Sequence, residues 1–396
     1  MKRFFAVSAL SLALSVPQVF AGEVAEPVAE PTAEAVAAPQ ESGWKEVLSK
    51  LPKVSGYLQT GWNYTSDGGY DVEKGKLAKE TSSFQAKRLR LIVDGNVGAK
   101  VSFRLQIEAF NGISGTTNGR GQKNLQVMDA FATAKLLPEL QIRAGQFYTP
   151  MGFENYDISP ATLETVDFSN ICYRMACRNA IGYNFVDYGR DLGVMLIGDC
   201  FKSDEGFSYL HYDFAVTNGS LPCTDDANRS KDIIGAVTFR PIKKLAIKAA
   251  YNWGEYAQYV DDIKVHTYQP MNRFIAGAWY NDPTGLTLRG EFGIQSAKNE
   301  GVDLVKETGA YVLAGYHVGQ FLPIVRWDMY KDDVNKVSLN NYNRILVGCT
   351  WQAMKNLTVQ LNYGYTMYDK DAKEFSKANG GKDGQSQIQL MGLFKF

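Results

Sequence analysis

Ser386-Gln387-Ile388-Gln389-Leu390-Met391-Gly392-Leu393-Phe394-Lys395-Phe396 alternates residue by residue. In an extended chain Ile388, Leu390, Gly392, Phe394 and Phe396 fall on one face, and Gln387, Gln389 and Lys395 on the other. A strand of this kind left at a sheet edge offers a row of unpaired N–H and C=O groups to any other chain. Closing the sheet on itself removes the edge, and the last strand then pairs with the first. These eleven residues alone also fit an edge strand of a secreted sandwich, so the rest of the chain has to separate the two.

The same period continues through the chain from Gly56. Val101, Phe103, Leu105 and Ile107 alternate with Ser102, Arg104, Gln106 and Glu108. Leu245, Ile247, Ala249, Tyr251 and Trp253 alternate with Ala246, Lys248, Ala250 and Asn252. Runs of about 10 such residues suffice for a tilted strand to cross a bilayer. Sixteen are predicted, at 56–65, 83–96, 99–110, 125–136, 140–148, 189–200, 206–217, 231–240, 244–254, 271–281, 284–296, 307–318, 320–331, 341–352, 356–368 and 385–396. Long connections (66–82, 111–124, 149–188, 218–230, 255–270, 297–306, 332–340, 369–384) interleave with short ones such as Asn281-Asp282-Pro283 and Ala353-Met354-Lys355. Bacterial barrels combine an even strand number with short periplasmic turns and long external loops. A soluble all-β protein has no reason to keep that alternation over fifteen connections. The predicted fold is therefore all-β, a 16-stranded antiparallel transmembrane barrel over residues 56–396.

Ahead of the barrel the sequence changes character. Met1-Lys2-Arg3 is basic, Phe4 to Val16 apolar, and Val19-Phe20-Ala21 a small-residue cleavage site, so 1–21 reads as a secretory signal peptide. No later stretch reaches the roughly 18 consecutive apolar residues of a spanning helix. Residues 22–43 are rich in Ala, Glu and Pro and read as a periplasmic tether, unable to bury enough apolar surface to order itself. The 44–55 segment holds a short amphipathic stretch, with Trp44, Val47, Leu48 and Leu51 together before Pro52.

The 22 Tyr, 21 Phe and 37 Gly suit strands and interfacial girdles better than helices. Without the three basic and five acidic residues of 1–45, the chain keeps 39 basic against 37 acidic residues, a balance that argues against a nucleic-acid partner. The five cysteines, Cys172, Cys177, Cys200, Cys223 and Cys349, show neither CxxC nor metal-ligand spacing. A local Cys172–Cys177 disulfide would be possible in an oxidising compartment, though pairing among the five cannot be read from sequence. No metal or cofactor is expected, and none of His211, His266 and His317 lies in a hydrolase motif, so an enzyme is not expected either.

Sixteen strands enclose a water-filled lumen that inward side chains and infolded loops must filter. Assigning each apolar set to lipid turns Arg88, Arg90, Arg104, Arg143, Lys248, Arg273, Arg289, Arg326 and Arg344 inward, with Asp94, Glu108, Asp191, Asp213, Glu291 and Asp328. Arg289 with Glu291 and Arg326 with Asp328 sit two apart on one face, where they can satisfy each other. The longest connection, Thr149 to Tyr188, is apolar and aromatic enough to order, and is read as folding into the lumen as a constriction. Ser159-Pro160 offers it a helix start. Its charges are mainly acidic: Glu154, Asp157, Glu164, Asp167 and Asp187 against Arg174 and Arg178.

Gly145-Gln146-Phe147-Tyr148-Thr149-Pro150-Met151-Gly152-Phe153-Glu154 resembles the Gly-Gln-Phe-x-Thr-Pro-x-Gly-x-Glu signature of the phosphate-selective porin O and P family. Arg190-Asp191-Leu192-Gly193-Val194 is similar to that family's strand after the constriction loop, and Val216-Thr217-Asn218-Gly219 to its Asn-Gly strand end. The resemblance in organisation extends over about residues 50–396, and implies a sixteen-stranded, trimeric outer-membrane porin whose lumenal Arg and Lys guide anions. Phe396 likewise resembles the C-terminal signal read by the barrel-assembly machinery. Tyr148 stands where the signature often has Lys, and an acidic loop would oppose phosphate. The expected function is passive diffusion of small polar or charged solutes across a lipid outer membrane, with at most a weak anion preference. A phosphate- or polyphosphate-specific pore and an adhesive or structural barrel are the alternatives.

Overall fold

The structure, a computed structural model, describes residues 51–396 except 73, 110–124, 178–188, 221, 224–228, 261–264, 300–301 and 333–335, and only the backbone of 256–260, 265–269, 299 and 302–305. The signal peptide, the tether, most of the 44–55 segment, Arg178, Asp187 and the His266 side chain lie outside the described residues.

Sixteen strands form one closed antiparallel barrel in which each pairs with its sequence neighbours and the last returns to the first. They are β1 (Lys53–Thr65), β2 (Thr81–Val97), β3 (Val101–Glu108), β4 (Gln126–Leu137), β5 (Leu140–Tyr148), β6 (Arg190–Lys202), β7 (Ser208–Thr217) and β8 (Asp232–Ile242). The second half comprises β9 (Leu245–Val260), β10 (Val265–Asn281), β11 (Leu286–Asn299), β12 (Val302–Tyr316), β13 (Phe321–Asp332), β14 (Tyr342–Met354), β15 (Leu357–Tyr368) and β16 (Gly384–Lys395). Each predicted run lies on one of them.

Two predicted loops are largely strand. β9 and β10 stay paired out to Val260 opposite Val265, and β11 and β12 out to Asn299 opposite Val302, so 255–270 and 297–306 are mostly ladder. An apolar stripe marks a strand only where lipid touches it; beyond the bilayer, pairing continues without that signature. A helix was also missed in 369–384. With α1 (Phe153–Tyr156) in the constriction loop, α2 (Lys370–Ala378) is the second α-helix of the described residues. It starts after Asp369 and packs Phe375 edge-on to Tyr70, 6.0 Å between ring centres, while Ser376 Oγ accepts from Tyr70 N at 3.1 Å. The β1–β2 and β15–β16 loops therefore dock on each other over the strands that close the sheet.

The closing strand alternates as its sequence does. Leu390, Phe394 and Phe396 are exposed on the outside, and Met391 and Leu393 are buried within. At the seam Gly56 N donates to Phe396 O at 2.9 Å and Phe396 N donates to Gly56 O at 3.0 Å. A Cβ at position 56 would come within 2.4 Å of the Arg90 carbonyl and 2.6 Å of the Phe396 ring, so the close approach needs glycine. Elsewhere Phe214, Val216, Ile247, Trp253, Leu288, Phe292 and Val325 are exposed outward, the apolar belt a barrel presents to lipid. The inner face carries the candidate site.

Candidate functional site

The chain leaves β5 at Tyr148 and turns into the lumen. Gly152 has φ 76°, in the left-handed region, and a Cβ there would meet Glu291 Oε1 at 2.8 Å. That space admits the Glu291 carboxylate, which accepts from Phe153 N at 2.7 Å as α1 begins. Asn155 Nδ2 donates back to Thr149 O at 2.9 Å, and Thr149 N to Gly189 O at 2.8 Å, which clasps the base of the loop.

The predicted helix at Ser159-Pro160 is instead a single turn, with Thr162 N donating to Ser159 O at 2.9 Å. Side chains of the wall take the backbone groups a helix would have used. Gln360 donates to Leu163 O at 2.8 Å, Thr350 to Glu164 O at 2.7 Å, and Val166 N donates to Asn362 Oδ1 at 2.8 Å. Farther on, a π-helical turn at Ile171–Ala176 ends against Arg273, whose Nη1 donates to Met175 O at 2.9 Å and Ala176 O at 3.1 Å. Cys172 and Cys177, buried in this turn, are free thiols. Ile171, Met175 and Met151 pack on Phe147, Met195, Ile275 and Tyr311 of the wall, so the inner face carries an apolar patch beneath the loop. Each such side chain withdrawn from water stabilises the docked loop by about 1.5–3 kcal/mol.

The charges are paired in the same way. Arg289 holds Glu164 at 2.8 Å and Glu154 at 3.1 Å, and its Nε donates to Tyr311 OH at 2.9 Å. Tyr311 OH in turn donates to Glu291 Oε2 at 2.7 Å, so Arg289 and Glu291 are linked through a tyrosine and not directly. Arg326 bonds Asp328 at 2.7 Å, Thr165 Oγ1 at 2.9 Å and the Asp167 and Phe168 carbonyls. Lys248 bonds Asp157 at 2.6 Å. Arg88 bonds Gln59 and lies 5.4 Å from the Phe168 ring centre. Arg174 bonds Asn340 at 2.5 Å. The described loop acids, expected to make an acidic constriction, are thus bonded to bases of the wall, Glu154 and Glu164 to Arg289, Asp157 to Lys248 and Asp167 to Lys87: a carboxylate taken out of water requires a partner.

The remaining predicted side chains sit on the wall itself. Arg90 pairs with Glu108 at 2.9 Å, both buried. Arg104 grips Asp94 through two bonds of 2.7 and 2.9 Å, and both remain more than a third exposed. Asp191 accepts from Leu192 N at 2.8 Å and Gly219 N at 2.9 Å. Asp213 accepts from Tyr156 OH at 2.8 Å and lies 3.2 Å from His211 Nε2. His211 is flanked on its other side by Asp199 at 3.0 Å, so its partners are two carboxylates and not a serine. Arg143 has Thr133 Oγ1 at 3.2 Å and the Phe131 ring at 4.4 Å, and Arg344 has Gln387 Oε1 at 2.6 Å; both are half-buried and neither bonds a carboxylate.

Four side chains escaped the sequence reading: Lys87, Arg190, Asp129 and Arg240. In β2 the register slips by one residue, Gln59 facing Arg88 while Thr60 faces Ala86, so Lys87 is a bulge. The bulge turns Lys87 inward beside Arg88 and bonds it to Asp167, which also accepts from Gln389 Nε2 at 2.7 Å. Strict alternation places Lys87 outside. Arg190 and Asp129, fully buried at 2.7 Å, were separated by strand assignment across sixty-one residues. Arg240 lies at the end of its predicted run, where direction is least marked.

Burial works to raise the Asp167 and Glu164 carboxyls, but Lys87, Arg344 and Gln389 around the first, and Arg289 with Arg326 around the second, together more than offset it, and both lie below the ordinary carboxylate range. Both therefore stay charged in the docked loop.

Residues 58–183 match the model of the family Phosphate-selective porin O and P, a span that includes the β5–loop signature. No curated protein matches the chain by sequence. Among solved structures, an anion-selective porin from Comamonas acidovorans is 14% identical with a TM-score of 0.61, covering 87% of this chain and 99% of its own. OmpT, an outer membrane protein of Vibrio cholerae in a trimer form, is 11% identical with a TM-score of 0.57 over 87% and 99%. Salmonella typhi OmpF, in complex with daunomycin, is 15% identical with a TM-score of 0.58 over 87% and 97%. At these identities the likeness is one of fold.

Proposed function

We propose how this chain, a bacterial outer-membrane porin by its family segment and its sixteen-stranded barrel, passes its solutes: by passive diffusion with a weak preference for small anions. The observation that carries the preference is the pair Arg143 and Arg344, inward, half-buried and hydrogen-bonded to neutral groups instead of to a carboxylate. In a lumen of low-dielectric walls, two such guanidiniums raise the local concentration of anions. Half-exposed Asp94 on β2 and Arg104 on β3 support a water path along this part of the wall. Pairing of the four described loop acids with bases of the wall reduces the obstacle to anions that the sequence suggests. It also leaves a phosphate-specific channel as the second reading, supported by the family segment. The barrel works without catalysis, as a homotrimer delivered by the assembly machinery through the β16 strand.

Reconstitution in planar bilayers under a salt gradient tests this. Expected are ohmic conductance and a modest anion-selective reversal potential, lost in Arg143→Gln with Arg344→Gln. Absence of conductance would remove the porin reading in favour of an adhesive or structural barrel. Strong block of chloride current by phosphate would favour the phosphate-specific channel.

A further inference from the structure

At the short-turn end of the lumen a cavity of about 410 Å³ opens between β8, β9, β10 and the start of the constriction loop. Its floor is aromatic: the Phe153 and Trp279 rings meet edge to face at 5.8 Å. Its rim is cationic, with Arg240, Lys243 and Lys244. Lys244 is bonded to Asp282 at 2.6 Å, and Asp157, the acid of the lining, is bonded to Lys248 at 2.6 Å. Arg240 and Lys243 have no hydrogen-bond or ion-pair partner among the described residues. The cavity therefore keeps two uncompensated cations over an apolar aromatic floor. Its volume lies in the range of small-molecule sites, which combine apolar walls with a few polar groups that fix orientation.

We propose that this cavity binds a small organic anion with a flat apolar body, an aromatic carboxylate, which reaches it from the periplasmic mouth. The carboxylate meets the Arg240 fork and the Lys243 ammonium, while the body lies on Trp279, backed by the buried Phe153 ring, and gains by leaving water. Inorganic anions would find the same charges with nothing to place on the floor, and short carboxylates little more. Discrimination thus comes from the aromatic pair, and strength from the two cations. The proposal rests on the porin reading and names a solute class for it.

The probe is benzoate, added to either side of single channels in chloride, with acetate and inorganic phosphate in parallel. Expected is concentration-dependent block by benzoate from one side only, at roughly tenfold lower concentration than acetate or phosphate. Arg240→Gln with Lys243→Gln should raise the half-blocking benzoate concentration about tenfold. Trp279→Leu should erase the advantage of benzoate over acetate, and the heat-modified migration of each variant reports whether its barrel has folded. If wild-type channels conduct but benzoate blocks no better than acetate, or both variants are blocked like wild type, the site is refuted while the porin reading stands. If no channel conducts, the porin reading fails, and benzoate quenching of Trp279 fluorescence, absent in the Trp279→Leu protein, decides the site separately; unchanged quenching would overturn it.

Discussion

Arg289 shows what a single lumenal side chain has to do. With its side chain fully buried it faces Glu154 and Glu164 on the loop, so its removal strands two carboxylates in a site water barely reaches. Arg289→Ala should weaken loop docking by about 3–5 kcal/mol, the usual consequence of leaving a buried charge unpaired. The readouts are larger, noisier single-channel conductance and faster proteolysis within the loop. Adding Glu154→Gln and Glu164→Gln should recover most of the loss, because the unpaired charges are then gone. At this scale the sequence was legible in direction but not in partnership. Alternation turned Arg289 inward, yet its acids lie more than a hundred residues earlier on another element. Lys87 was illegible for a different reason, since a bulge changes which face a residue takes without leaving a mark in composition.

The constriction loop as an element is held by carboxylates whose charge is worth more docked than free. Asp167 and Glu164 lie below the ordinary range in the docked state, burial being outweighed by the cations and donors around them, Lys87 and Arg289 foremost. A depressed carboxyl contributes its full stabilisation above the undocked value, about pH 4, and loses it as pH falls through the docked value. Acidification from pH 6 toward pH 3 and below should therefore loosen the loop, while alkaline titration to pH 8 should leave these two contacts unchanged. Conductance and limited proteolysis across that range provide the check; a loop that tightens on acidification would contradict it. The location of this element was legible, because a forty-residue apolar connection has few places to go. Its internal form was not: the wall side chains that replace the predicted helix sit on β14 and β15, far along the chain.

For the whole molecule, closure was the most legible property, since a period of two over sixteen runs with alternating connection lengths admits few other sheets. Closure also depends on tight local contacts. Gly56→Val would place a branched side chain where the Arg90 carbonyl and the Phe396 ring already lie within 2.6 Å of a Cβ. Overpacking of this kind costs about 1–3 kcal/mol, and here it falls on the pairing that closes the sheet. The expected outcome is a lower yield of heat-modifiable barrel on refolding and a lower melting temperature for what does fold. Gly56→Ala should be affected in the same direction, but less. What stayed illegible was the extent of strand beyond the membrane, where β9 to β12 continue without an apolar face.

Asp167 bonds Lys87 of β2 and Gln389 of β16, the two strands that flank β1. The loop thus fastens the hoop from inside, across the place where its two ends meet, while Tyr70 and Ser376 fasten it from the outer rim. A sideways pull that separates β1 from β16 would have to unbuckle the loop before the ladder could part. The segment that narrows the passage is also the latch that keeps the wall from being prised apart.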